Sequence, residues 1–282
     1  MNLRKIVLLS LVATWMCVST SCAGNKEQKP QEDAIVLIET SMGNIKVKLY
    51  PETTKHRQNF LKLVTDGFYN GLLFHRVINH FMIQAGDPKS KTAPSGTLLG
   101  DGDVGYTIPA EFVYPKYYHK RGALAAAREG DDKNPKKASS GCQFYIVQGK
   151  VFNDQALEDL EKKRQKFVEQ ELFNQLMEKR KDAVARFQKD HDDYQLNRLQ
   201  EKVMDEVQLK LQKDTALYKY NNDQWGEYCT NGGTPHLDNN YTVFGEVIEG
   251  MDIVDKIAGV ATDKNDRPAL DIKIIKAEII KP

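Results

Sequence analysis

Arginine and glutamine are strong side-chain hydrogen-bond donors. Arg76 and Gln84 fall within one short, largely apolar run, Phe74-His75-Arg76-Val77-Ile78 followed by Phe81-Met82-Ile83-Gln84-Ala85-Gly86-Asp87. The run holds no hydroxyl nucleophile, no carboxylate pair and no cluster of metal ligands. Donors without a nucleophile suit chemistry that breaks no covalent bond. In an extended chain His75 points away from Arg76, so it reads as a buried, hydrogen-bonded structural histidine and not as an acid or base.

The elements around this run are mostly strands. Ala34–Thr40 and Asn44–Tyr50 are rich in β-branched residues, and Ser41-Met42-Gly43 between them makes a turn, which together predict a β-hairpin. Thr53 or Thr54 is placed to cap a helix over Lys55–Thr65, with Phe60, Leu61 and Val64 on one face. After Tyr69-Asn70-Gly71 the Phe74–Asp87 run reads as a strand, and Asp87–Asp103 as a surface loop. Tyr106–Phe112, Gly122–Arg128 and Gln143–Val147 are further strand candidates. Tyr241–Val247 is another, Gly250–Ala258 is a short helix, and Ala269–Ile280 alternates as a closing strand.

Between these strands the composition changes. From Val151 to Trp225 there is neither glycine nor proline, and helix-forming residues dominate. Leu157, Leu160, Phe167, Leu172 and Leu176 recur at roughly helical spacing. Leu199, Val203, Val207 and Leu211 keep steps of four. Lys189-Asp190-His191-Asp192-Asp193 is the point of reversal, predicting two long amphipathic helices folded as a hairpin. The expected organisation is a β domain formed by 34–150 and 232–282, interrupted by a helical insertion over 151–231.

The N-terminus reads as a targeting segment. Arg4 and Lys5 precede an apolar run, Ile6–Val18, that is too short to span a bilayer comfortably. Ser19, Thr20 and Ser21 lead into Cys22, a pattern similar to a bacterial lipoprotein signal over residues 1–22. Ser19 stands where leucine is usual, and an ordinary cleaved signal or an uncleaved anchor are the other readings. In the lipoprotein reading Cys22 carries lipid, residues 23–33 form a polar, flexible tether, and the protein is anchored in the cell envelope. Cys142 and Cys229 then remain, either as separate thiols or as a pair. Across all 282 residues, 40 Lys and Arg balance 39 Asp and Glu, which argues against nucleic acid as the main partner.

The motifs Tyr69–Ile78, Phe81–Asp87, Ser140–Ile146 and Val243–Val247 together resemble the cyclophilin-type peptidyl-prolyl isomerases. The resemblance implies a mainly β fold, a closed eight-stranded antiparallel barrel capped by two helices. It also implies a groove that binds proline-containing peptides and speeds rotation about the bond before proline, with no cofactor and no metal. Arg76 matches the catalytic arginine, and Gln84 and Gln143 match the residues that hold the peptide backbone. Phe81, Met82, Tyr145 and Leu237 match the apolar pocket for the proline ring, with Ala127, Arg128, His236 and Tyr241 also placed in the groove.

Four positions depart from the family pattern. His236 stands where many relatives have tryptophan, and Tyr241 where many have histidine. Arg128 replaces an asparagine common in eukaryotic members, and Tyr145 replaces phenylalanine. These differences bear on cyclosporin sensitivity more than on catalysis. Family members do not generally carry a long helical arm at 151–231. The arm reads as a device for gathering unfolded envelope proteins, as a homodimerisation element, or as a hairpin that packs on itself. The expected activity is prolyl isomerisation on exported proteins, and the competing reading is a chaperone or scaffold in which catalysis is incidental.

Overall fold

A computed structural model describes residues 33–282. Residues 1–22, read above as a lipoprotein signal ending at Cys22, and nearly all of the tether expected over 23–33 lie outside the described residues. Among the described residues no helix is long and apolar enough to cross a membrane.

The predicted first hairpin is present: β1 (Ala34–Thr40) and β2 (Gly43–Leu49) pair antiparallel, Ala34 opposite Leu49 and Thr40 opposite Gly43. Every second residue of β1 is buried, as expected for a strand with one face on a core. Helix α1 (Thr54–Thr65) buries Phe60, Leu63 and Val64, while Leu61 is only partly buried against the same core. Thr53 occupies the N-cap position, but its hydroxyl donates to Tyr50 O and does not cap. The free N–H groups of Lys55 and His56 instead donate to the Glu111 carboxylate at 3.1 and 3.0 Å. A carboxylate offers these donors two acceptors and a negative charge where the helix dipole is positive.

The Phe74–Asp87 run is not one strand. Arg76–Ile78 forms β3 and Met82–Ala85 forms β4, an antiparallel pair turned at Asn79–Phe81. The turn needs His80 at φ 60°. The predicted loop after Asp87 begins with a 3-10 turn, Pro88–Thr92. Further along lie β5 (Thr107–Ile108), β6 (Ala123–Ala126), β7 (Ser139–Ser140), β8 (Phe144–Val147), β9 (Val243–Glu249) and β10 (Ile274–Lys281). The closing strand read over Ala269–Ile280 starts only at Ile274, because Leu270 and Asp271 are exposed and irregular.

Eight strands form one curled antiparallel sheet in the order β10-β1-β2-β9-β6-β8-β4-β3, and β5 pairs with β7 separately. The strand ladder does not close between β3 and β10, so the closed barrel read from the family is not what this ladder describes. The gap is spanned by chain just before each edge strand: Gly71 N to Ile274 O at 2.7 Å, Phe74 N to Ile272 O at 2.9 Å and Ile274 N to Leu72 O at 2.8 Å. Inside the curl, Val36, Ile38, Val47, Ile83, Leu124, Phe144, Ile146 and Phe244 build the main core with α1 and with α6 (Met251–Ala258).

The insertion departs from a two-helix hairpin. It contains α2 (Asp154–Glu178), α3 (Lys181–Lys189), α4 (Asp193–Lys213) and α5 (Asn222–Thr230). The first long helix breaks after Glu178. There the Arg180 guanidinium folds back to donate to Leu176 O at 2.9 Å and pairs with Glu206 of α4 at 2.7 Å. The reversal at Asp190–Asp192 is where the polar residues placed it, with His191 at φ 52° and Asp192 capping α4. The apolar stripe divides. Leu176, Val203, Val207 and Leu211 form a small core in the outer part of the insertion. Leu157, Tyr220 and Tyr228 form another at its root, beside Tyr118 of the β domain.

Candidate active site

Neighbouring strands place side chains of directly opposed residues on one face of a sheet. Arg76 opposes Gln84, Gln84 opposes Tyr145, and Tyr145 opposes Ala125. These four residues therefore form a row across β3, β4, β8 and β6 on the outer face of the curl. Their neighbours along each strand, Val77, Ile83, Ile146 and Leu124, point inward to the core. This explains why β6 and β8 are buried at every position. One face packs on the core, and the other is covered by a second apolar cluster of Tyr50, Met82, Ala123, Ala125, Tyr145, Val147 and Val243.

Above this row lies a groove of about 530 Å3. Arg76, Phe81, Met82, Gln84, Ala127, Arg128, Tyr145, Leu237 and Tyr241 line it, together with His75, Leu98, Leu99, Gly100, Asp101 and Glu129. A second hollow of about 730 Å3 shares Gln84, Gly100, Ala127 and Arg128 with it and adds Gln143. His236 does not line the groove. Its ring stacks on Phe81 at 5.6 Å between centroids, and the residue is exposed to solvent.

The amide orientations follow from their partners. Gln143 Nε2 meets two carbonyls, Gly100 O at 2.9 Å and Gly102 O at 2.7 Å, which only an NH2 group can satisfy. Its Oε1 then accepts from Gln84 Nε2 at 2.9 Å. That leaves the Gln84 carbonyl oxygen to accept from a peptide N–H. The glycine carbonyls are themselves fixed by Asp87, whose buried carboxylate accepts from Gly100 N at 2.6 Å and Gly102 N at 3.3 Å. Asp87 was legible only as the end of a motif and the start of a loop, because the path by which that loop returns Gly100 and Gly102 to its carboxylate has no sequence periodicity.

Arg76 is held loosely: its side chain is 43% exposed and its Nε lies 3.4 Å from Asp266 Oδ2. Arg128 is held firmly. Its guanidinium stacks over Tyr241 at 4.5 Å, donates to Asn240 O at 2.8 Å and pairs with Asp131 at 2.6 Å. It thereby fixes the Tyr241 ring at the groove edge. His75 is buried as expected, but neither ring nitrogen makes a well-formed hydrogen bond among the described residues, and its polar contact with the Leu73 backbone is a weak one. Burial pushes its pKa down to about 4, so the ring is neutral and packs as an apolar body beside Gly100.

One further set looks chemical. His56 lies 2.7 Å from Glu111 and 2.9 Å from the Ser139 hydroxyl, the order of a hydrolase triad. Ser139 and His56 are 1% and 2% exposed, and the adjoining hollow is about 10 Å3, too small for a substrate. The set ties α1 to β7.

Comparison with known proteins decides between a shared fold and a shared family. The chain matches the family model described as cyclophilin type peptidyl-prolyl cis-trans isomerase/CLD over residues 35–209 and 218–279. The chain belongs to the cyclophilin-type peptidyl-prolyl cis-trans isomerases. A Staphylococcus saprophyticus protein named as a candidate peptidyl-prolyl cis-trans isomerase is 29% identical over 253 residues, covering 87% of this chain and 91% of that one. A Streptococcus pyogenes protein named as a candidate bifunctional phosphatase and isomerase is 29% identical over 248 residues. That alignment covers 86% of this chain but spans only 38% of the longer protein. A crystal structure of a Cryptosporidium parvum cyclophilin superposes with a TM-score of 0.51 at 20% identity, covering 89% of this chain and 99% of that one. That likeness shows the cyclophilin fold.

Proposed function

We propose that this cyclophilin isomerises Xaa-Pro bonds in exported proteins while anchored in the cell envelope. The observation that carries the catalytic part is the row of Arg76, Gln84 and Tyr145 across three paired strands. It sets a cationic donor, a backbone anchor and an aromatic wall along one groove.

The reaction asks for little else. Resonance between nitrogen and carbonyl sets a rotation barrier of roughly 18–20 kcal/mol. A hydrogen bond donated to the prolyl nitrogen favours its pyramidal, unconjugated form. Arg76 supplies that donor from a charged fork that stays protonated. Gln84 holds the neighbouring peptide N–H, so rotation is confined to one side of the bond. The proline ring sits against Phe81, Met82, Tyr145 and Leu237. Binding that is stronger in the twisted state than in the planar one is what accelerates rotation.

The envelope location rests on the signal-like segment and Cys22. The insertion supports a client-gathering role, because Phe167, Tyr194 and Leu209 expose large apolar surfaces on it. Its second stripe, Val203, Val207 and Leu211, is already covered within the insertion, which leaves that stripe little to offer a second copy.

Refolding a denatured, proline-rich envelope protein tests the proposal. The mature protein should accelerate the slow, proline-limited phase, and Arg76→Ala should abolish the acceleration. Replacing Phe167, Tyr194 and Leu209 by serine should reduce acceleration on the protein client but not on a tetrapeptide. Full acceleration by Arg76→Ala would refute catalysis as the function. In cells, Cys22→Ser should release the protein from membranes; retention would refute the lipid anchor.

A further inference from the structure

The floor of the groove and the root of the insertion are joined by a buried chain of hydrogen bonds. The Tyr145 hydroxyl lies 2.9 Å from His119 Nε2. His119 Nδ1 lies 3.0 Å from Asp238 Oδ1, which also accepts the His119 backbone N–H at 2.8 Å. The other oxygen, Asp238 Oδ2, accepts from the Tyr228 hydroxyl at 2.6 Å. All four residues are at most 4% exposed. Tyr145 belongs to β8 in the groove wall, and Tyr228 belongs to α5 in the insertion.

A carboxylate only accepts, so Nδ1 of His119 carries a hydrogen. With the ring neutral, Nε2 accepts and Tyr145 donates to it, and every proton in the chain points toward Asp238. The Tyr145 hydroxyl is thus turned out of the groove, and the ring presents its apolar surface to a proline. A phenol in a proline pocket is tolerable only when its buried hydroxyl is satisfied, and His119 does this.

The same root holds the opposite wall. Asp238 ends the Pro235–Leu237 turn that carries His236 and Leu237. Thr234 N donates to His119 O at 2.8 Å. The Tyr220 hydroxyl, also from the insertion, donates to Pro235 O at 3.3 Å. Gly233 passes directly beneath Tyr228, where an added Cβ would come within 2.5 Å of the ring. Two walls of the groove are therefore fixed by residues that the insertion completes.

We propose that His119 is a positioning residue for the proline pocket and that Tyr228 of the insertion completes it, making insertion and groove one coupled unit. The proposal rests on Tyr145 and Leu237 lining the proline pocket of an isomerase. Whatever loosens α5 at the root also frees the Tyr145 ring and the Leu237 turn, and weakens the grip on an Xaa-Pro segment.

The test is a double-mutant cycle on the full mature chain with a short Xaa-Pro peptide, with Tyr228→Phe and Tyr145→Phe singly and together. Tyr228→Phe should lower kcat/KM about fivefold, mainly through weaker peptide binding, and should move the His119 ring nitrogen signals in 15N spectra. In the Tyr145→Phe background the same change should cost clearly less than in the wild type, because only the Leu237 wall still responds to Tyr228 through Asp238. Equal effects in both backgrounds, or His119 signals unmoved by Tyr228→Phe, would overturn the proposal. The wild-type spectrum is decisive even if a variant fails to fold. It must show Nδ1 protonated and Nε2 unprotonated, and the reverse tautomer would overturn the chain as drawn. An inactive wild-type protein would refute the isomerase reading instead, while the spectra would still decide whether Tyr228 is coupled to His119.

Discussion

Arg76 and Asp266 meet at 3.4 Å between Nε and Oδ2, both side chains 43% exposed, at the edge of β3. Asp266 is held at φ 61°, and its carbonyl accepts from Val77 N at 2.8 Å. The carboxylate therefore stands beside the guanidinium by backbone design, but in water. An exposed pair of this kind is worth about 0–1 kcal/mol, so it steers Arg76 without locking it. Arg76→Ala should lower kcat/KM on a proline peptide about 100-fold, about 2.7 kcal/mol of transition-state stabilisation, with unchanged thermal stability. Asp266→Asn should change it by no more than about threefold. A loss for Asp266→Asn as large as that for Arg76→Ala would mean the pair, and not the arginine alone, is the catalytic unit.

Gly86 should tolerate no side chain. It sits at φ 100°, a region that L-residues rarely adopt, and an added Cβ would lie 2.2 Å from Cys142 O in the segment leading into β8. Gly86→Ala should destabilise the fold by at least about 2 kcal/mol, read by chemical denaturation. It should also weaken peptide binding, because Gly86 joins Gln84 to Asp87, the residue that orders the loop holding Gln143.

Stability should fall in mild acid through His75. Burial lowers its pKa from 6.5 to about 4. Between these values the unfolded chain takes up a proton that the folded chain refuses, so lowering the pH favours unfolding. The contribution is fully present above about pH 6.5 and declines toward pH 4 by about 3 kcal/mol. Burial lowers the pKa of His56 as well, with the same sign. Denaturation curves at intervals from pH 7 to pH 4 should show a steeper loss for the wild type than for His75→Gln; parallel curves would contradict the assignment.

Cyclosporin should inhibit weakly. The position where many relatives carry tryptophan holds His236, and its ring is stacked on Phe81 instead of lining the groove. An isomerase assay with inhibitor titration checks this, and nanomolar inhibition would contradict it.

The family and much of the site were legible because the motifs are local. Arg76, Gln84 and Tyr145 were legible through the family motifs that hold them; alternation could not separate Tyr145 from the core, because its strand is buried at every position. The first hairpin, α1, and the polar reversal at Asp190–Asp192 were legible because each is fixed by neighbours in sequence. The sequence alone therefore determined the motifs, the local elements and the chemistry they resemble. Tertiary structure decided what those residues lean on. Glu111 caps α1, Asp87 orders Gln143, Asp266 flanks Arg76, and Tyr228 reaches Asp238 and through it His119 and Tyr145. Hydrogen bonds and ion pairs carry no periodicity along the chain, so partners distant in sequence are invisible until folding brings them within about 3 Å. The strand ladder was settled in the same way. Alternation names the strands, but only the curl of the sheet decides that β3 and β10 approach through the segments before them and do not pair.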